Sequence, residues 1–290
     1  MKFYEVNIQE SDQELIAASL EGDQQALEKL IKKHQAWVYN IAWNMADNPE
    51  AAADITQEVL IKMITKLSTF KQESQFRTWL YRMLKNYFLN TKRNKYEQNT
   101  LAFEDFAAGL NGIKDEKLSK YAFEVEEKLL VKEAKMGCMK AMLLCLKPEQ
   151  RMIYILGELF EFPDSLGSEI MEISKANFRI KLHRARKQLY TFMDGQCGLI
   201  NKNNPCRCAK KTIGFIQKGY VNPDKLLFEQ ERVDSIDALV PQKTKALEKE
   251  GMPAYQKLFQ EHPFLKGPEF LEGVKALLRS KGIGGTFNLN

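Results

Sequence analysis

Between Ala26 and Leu67 the apolar residues fall on successive helical faces, and that spacing leaves helix packing as the fold open to this chain. Ala26, Leu27, Leu30, Ile31, Val38, Ile41 and Ala42 recur three or four positions apart up to Asn48-Pro49, where a new helix is expected because proline suits a first helical turn. From Pro49 to about Leu67, one side carries Ala52, Ile55, Val59, Met63 and Leu67, and the other Asp54, Gln57, Glu58 and Ile61. The second side is acidic but not wholly polar, with Ile61 expected to stand exposed on it.

Local signals extend this pattern to an all-α chain. Ser11-Asp12-Gln13-Glu14 has capping-box spacing, and Gly22-Asp23 breaks and restarts the first helix. A third helix is expected from about Gln75 to Lys92. Residues from about Tyr96 to Phe123 lose periodicity and turn acidic, as a linker would. Helical spacing resumes near Val125 and restarts at Pro148. After a break at Glu161-Phe162-Pro163-Asp164, a short helix over Ser165 to Met171 and a longer one from about Ser174 to Phe192 fit a helix-turn-helix. Beyond Gly195, amphipathic helical patterns run over roughly 225–250, 254–261 and 268–279, and Gly282-Ile283-Gly284-Gly285 leads into an end expected to fray. The expected divisions are 1–95, a flexible acidic linker 96–123, a helix-turn-helix unit 124–194, and a mostly helical extension 195–290.

With 290 residues, 44% hydrophobic and 28% charged, the chain can support two or three small domains. Its formal charge of +5 is too small to argue for nucleic acid by itself, so the argument rests on where the cations sit. Between Lys71 and Lys95 stand Lys71, Arg77, Arg82, Lys85, Lys92, Arg93 and Lys95, with Glu73 the only acid. Phe76, Trp79, Tyr81, Tyr87 and Phe88 lie among them, and aromatic faces can stack on unpaired bases. The plainer alternative is that Trp79, Leu80 and Met83 are a core stripe and the cations a solvated face. A second cationic segment, Ile173 to Met193, contains Arg179, Lys181, Arg184, Arg186 and Lys187 and no acid. His183 within it is expected at the surface. The N-terminus lacks a cationic-then-apolar leader, and no apolar run reaches the roughly 18 residues that span a bilayer, so the cytoplasm is expected.

The segment Asp54-Ile55-Thr56-Gln57-Glu58-Val59 through Phe70, then Phe76-Arg77-Thr78-Trp79-Leu80-Tyr81-Arg82-Met83 and Asn86, resembles region two of sigma-70 family factors of the extracytoplasmic function (ECF) subfamily. Leu146-Lys147-Pro148-Glu149-Gln150-Arg151 resembles the opening of sigma region four, and Lys181-Leu182-His183-Arg184-Ala185-Arg186-Lys187-Gln188-Leu189 its end. The resemblance covers about two-thirds of the chain. It implies a non-enzymatic promoter-specificity subunit, with core RNA polymerase (β′ clamp helices and β flap) and promoter DNA as partners, and it admits an anti-sigma partner. It assigns Asp54, Gln57, Glu58 and Ile61 to polymerase binding. Lys71, Ser74, Phe76, Arg77, Trp79, Arg82, Lys85 and Asn86 would then serve the minus-ten element, whose flipped base is caught near the loop 71–75. Lys175, Asn177, Arg179, Lys181 and Arg184 would read or flank the minus-thirty-five element. Ser165-Leu166-Gly167-Ser168-Glu169-Ile170 departs from the family pattern, and Gly167 costs about 1 kcal/mol of helix propensity relative to alanine.

Five cysteines, unevenly placed, do not resemble a secreted disulfide scaffold. Cys138 and Cys145 sit among apolar residues and read as core. Cys197, Cys206 and Cys208 leave three readings open: zinc ligands with a fourth from His183, His262 or a partner, a redox pair, or packing of a compact loop. Otherwise no cofactor is expected. The main alternative function is a helical DNA- or RNA-binding regulator that does not recruit polymerase; a metalloenzyme would need an acid or base beside the trio, and none accompanies it.

Overall fold

The computed structural model describes residues 9–46, 48–91, 101–121, 123–228, 232–235, 259 and 263–280. Helix α1 (Asp12–Leu20) opens on the expected capping box, with the Glu14 amide donating to Ser11 Oγ at 3.2 Å and the Ser11 amide donating to Glu14 Oε2 at 2.7 Å. Asp23 caps α2 (Gln24–Met45), and Asn48 caps α3 (Pro49–Thr65) with proline in its first turn. The third expected helix is α4 (Phe76–Asn86), which widens into a π-helical turn over Tyr87–Thr91. Residues 92–95, including three of the expected cations, lie outside the described residues.

The stretch expected to be a flexible acidic linker instead contains α5 (Phe103–Asn111), because its apolar residues find distant partners. Phe103 and Phe106 pack on Phe192, while Leu110, Ile113 and Leu118 enter a second core with Leu130, Ile213 and Val221. The scaffold of that second core is α6 (Glu127–Leu144) and α10 (Cys208–Gln217).

Helix α7 (Pro148–Tyr154) precedes α8 (Asp164–Met171) and α9 (Lys175–Gln196), which form the helix-turn-helix. Its turn passes through Glu172 at φ 56°, a left-handed conformation that L side chains rarely adopt. Gly167 is explained by packing: the Phe178 ring lies directly against its Cα, where a Cβ has no room. Arg151, 2% exposed, joins the two halves. It donates to Leu143 O (2.9 Å), Leu144 O (2.8 Å) and Leu146 O (3.0 Å), and across to Met45 O at the end of α2 (2.8 Å).

Beyond α10 the chain departs from its expected helices at 232–235, while the helix expected over roughly 268–279 is present. β1 (Arg232–Ser235) pairs antiparallel with β2 (Pro263–Leu265), with a bulge between Arg232 and Asp234, and α11 (Leu271–Ser280) follows. Strand pairing and burial of Phe264 and Leu265 override a helical pattern over 232–235 that is only local. Residues 236–258 and 281–290, where further helix and a frayed end were expected, lie outside the described residues. Phe228, Phe264, Leu265, Phe270, Val274 and Leu278 join the core of α1–α4 and α7–α9.

Candidate functional site

Along α3, the four residues expected on one docking side differ in access. Asp54 is exposed, and Gln57 and Glu58 are half-buried. Glu58 pairs with Lys62 at 3.0 Å and hydrogen-bonds Tyr87, whose hydroxyl pKa is raised by burial and then by the Glu58 and Asp54 charges. Ile61 is not exposed as expected. It is 7% accessible and belongs to the core, because packing around α3 reaches further than its apolar stripe implied. Gln57 is overlain by the backbone of α11, where a Cβ at Gly273 would require the Gln57 amide to swing aside.

The loop 70–75 and the start of α4 line a cavity of about 370 Å³ together with Asp12, Lys33, His34 and Trp37. Gln72 turns this loop through φ 59°. Ser74, Gln75 and Arg77 border the opening, and Arg77 Nε donates to Gln75 Oε1 at 2.8 Å. Opposite them, Asp12 accepts from Lys33 (3.0 Å) and sits 3.1 Å from His34 Nε2. Burial alone would raise the Asp12 pKa, but the His34 and Lys33 contacts bring it down to about 2. The volume and mixed polar lining suit one planar ring. The family resemblance pointed to the loop but not to Asp12, Lys33 and His34, since the joining of α1 and α2 to this loop is a tertiary event.

On α4 itself, only part of the expected set faces solvent. Lys71 and Asn86 are exposed, and Ser74 and Arg77 are half-buried. Phe76 is 3% exposed, and Trp79 leans on Phe70 and Phe76 with ring centroids 5.3 and 5.5 Å away, so neither ring stands free as a stacking platform. Arg82 is held by α8: its Nε donates to Glu169 O at 3.0 Å and its Nη2 to Glu169 Oε1 at 3.2 Å. Lys85, 5% exposed, pairs with Glu172. Both cations are thus paired with carboxylates of α8 and the turn after it.

Helix α9 is the opposite case. Ser174 caps it, accepting from the Asn177 amide at 3.2 Å, while Phe178, Leu182, Ala185 and Leu189 seat it in the core. Lys175, Asn177, Arg179, His183 and Arg184 are exposed, and Lys181 is half-buried. Arg179 pairs with Asp164, and Lys181 with Glu149. The first turns therefore present cations and an amide outward, the arrangement by which a helix N-terminus meets base edges in a major groove.

Cys197 and Cys206 are neighbours in a parallel bridge, Cys208 opens α10, and Cys138 on α6 approaches the trio. Burial, and then the neighbouring Cys197 and Cys206, push the Cys208 thiol up to about 11; burial likewise raises Cys138 and Cys206. Among the described residues no group of three or more His, Cys, Asp or Glu side chains is gathered as a metal site. Cys145 is in the core. His183 is exposed, and His262 lies outside the described residues.

A family model described as Sigma-70 region 2 matches residues 30–97, and one described as Sigma-70, region 4 matches residues 136–189. The chain is 26% identical over 166 residues to "RNA polymerase sigma factor YlaC" of Bacillus subtilis (strain 168), an alignment covering 57% of this chain and 90% of that protein. It is 26% identical over 173 residues to "ECF RNA polymerase sigma factor SigW" of the same organism, covering 58% and 89%. With "ECF RNA polymerase sigma-E factor" of Escherichia coli (strain K12) it shares 26% over 185 residues, covering 62% and 92%. Among the described residues no helix is long and apolar enough to cross a membrane.

Proposed function

The chain belongs to the sigma-70 family of RNA polymerase sigma factors, and from that premise we propose how its own residues direct promoter-specific initiation. Core polymerase is gripped along α3, beginning at the exposed Asp54 carboxylate, with Gln57 and Glu58 beside it. Lys175, Asn177, Arg179, Lys181 and Arg184 meet the minus-thirty-five duplex through the first turns of α9. A base leaving the minus-ten duplex enters the cavity between the loop 70–75 and α1–α2, while Lys71, Arg77 and Asn86 hold the strand around it. Arg82 and Lys85 join them once α8 withdraws its carboxylates. The chain's part in this is binding; bond formation belongs to the polymerase.

The observation that carries the proposal is the outward face of α9, where exposed Lys175, Asn177, Arg179 and Arg184 occupy the second helix of a helix-turn-helix. Asp54→Arg is expected to abolish copurification with core polymerase, and Arg179→Glu to leave it intact while flattening the difference between promoters in open-complex formation. Unchanged copurification of Asp54→Arg refutes the docking assignment, and unchanged promoter preference of Arg179→Glu refutes the reading helix.

A further inference from the structure

We propose that residues 263–280 are an internal occupant of the α2–α3 face, so that the chain's own tail and core polymerase compete for one surface. The inference rests on the reading of α3 as a polymerase-binding helix. It goes beyond that reading because it assigns a role to a segment outside both matched regions, which end at residue 189.

The contact has the character of a built joint. Asn40, in the middle of α2 and 0% exposed, pairs with the backbone of Leu265 in both directions. Asn40 Nδ2 donates to Leu265 O at 2.8 Å, and the Leu265 amide donates to Asn40 Oδ1 at 2.8 Å. A primary amide buried inside a helix bundle is costly unless such partners are present, so α2 is shaped to receive an extended strand at this point. Phe264 packs on Trp37 with centroids 5.0 Å apart, and Phe270 on Tyr39 at 5.8 Å. Between them Gly267 adopts φ 70° and presses on the Tyr39 ring, with a Cβ excluded by an approach of 2.7 Å.

Helix α11 then lies along α3. Leu271, Val274 and Leu278 point into the core, while Lys275 bonds Glu28 of α2 at 2.5 Å along the border. Gly273 brings the α11 backbone against Gln57, where another helix packing on the same residue would collide with it. Asp54, one turn away, stays exposed. A partner can therefore begin at Asp54 and must displace α11 to reach Gln57. Release would uncover Trp37, Tyr39 and Asn40, large rings around an amide, a composition typical of strong interface anchors.

The test uses the full chain and three of its variants. Lys275→Glu places like charges opposite Glu28, Gly273→Trp forces α11 away from Gln57, and Val274→Glu charges its buried face. Affinity for core polymerase is measured by titration, with folding checked by circular dichroism, and hydrogen exchange of amides 264–280 is followed in the wild-type chain with and without polymerase. Folded variants are expected to bind at least about tenfold tighter, because a larger fraction is competent, and the wild-type tail amides are expected to lose protection in the complex. Equal affinity for wild type and folded variants, with tail amides still protected in the complex, overturns the cover while sparing the sigma reading. Absence of binding by every folded form overturns both. Should the variants fail to fold, the wild-type exchange measurement decides alone.

Discussion

Arg151 shows how one residue can join two regions. Its guanidinium makes four hydrogen bonds to carbonyls at the ends of α6 and α2 and at Leu146 just beyond α6, where chain ends leave carbonyls short of intrahelical donors. Arg151→Ala would remove four hydrogen bonds from buried carbonyls, of which Leu143 O keeps a backbone donor in the Leu146 amide, so a loss of about 3 kcal/mol is expected, seen as a lower denaturant midpoint. Asp12 makes a different prediction. Its folded pKa lies below its ordinary value, so its contribution is complete above about pH 4 and is lost as pH falls toward about 2. From 3.8 to about 2, the contribution is up to about 2 kcal/mol. Asp12→Asn should therefore be less stable at neutral pH and lose less stability than wild type on acidification through that window. Equal acid sensitivity in urea titrations would show that the His34 and Lys33 contacts do not stabilise the fold.

Among the elements, α8 holds the most consequential position, since it belongs to the helix-turn-helix yet lies on α4. Glu172 serves both the turn and the pair with Lys85, and it does so at a left-handed φ. Glu172→Gly should ease the backbone and free Lys85 together. A gain of about fivefold in affinity for a single-stranded minus-ten oligonucleotide at low salt is expected, shrinking as salt rises; no gain would mean that Lys85 does not reach DNA. The helices α1 to α4 and α7 to α9 were legible in sequence, as were the capping box of α1, the proline starts of α3 and α7 and the cations of α9. What stayed hidden depends on partners far along the chain. Ile61 reads as exposed because α3's stripe alone does not show how far packing extends around it, and Arg82 reads as a free phosphate contact because Glu169 stands 87 positions away. Gly167 reads as a helix fault until the Phe178 ring is seen against it. The helix at 103–111 was missed because its phenylalanines are satisfied by Phe192 rather than by a local stripe.

Taken as a whole, the molecule presents its proposed binding surfaces in different states. On α9, Lys175, Asn177 and Arg184 are exposed while Arg179 and Lys181 are paired with Asp164 and Glu149, two cations of α4 are paired with Glu169 and Glu172, and Gln57 of α3 lies against α11. One hydrophobic core runs through α1–α4, α7–α9 and the tail. The most direct measurement is run-off transcription from a promoter library with reconstituted core polymerase, adding either the full chain or its Lys275→Glu form. Defined start sites dependent on the added chain, strengthened by Lys275→Glu and lost with Asp54→Arg, are predicted. No start above core polymerase alone at any promoter, with both folded proteins present, would contradict the account.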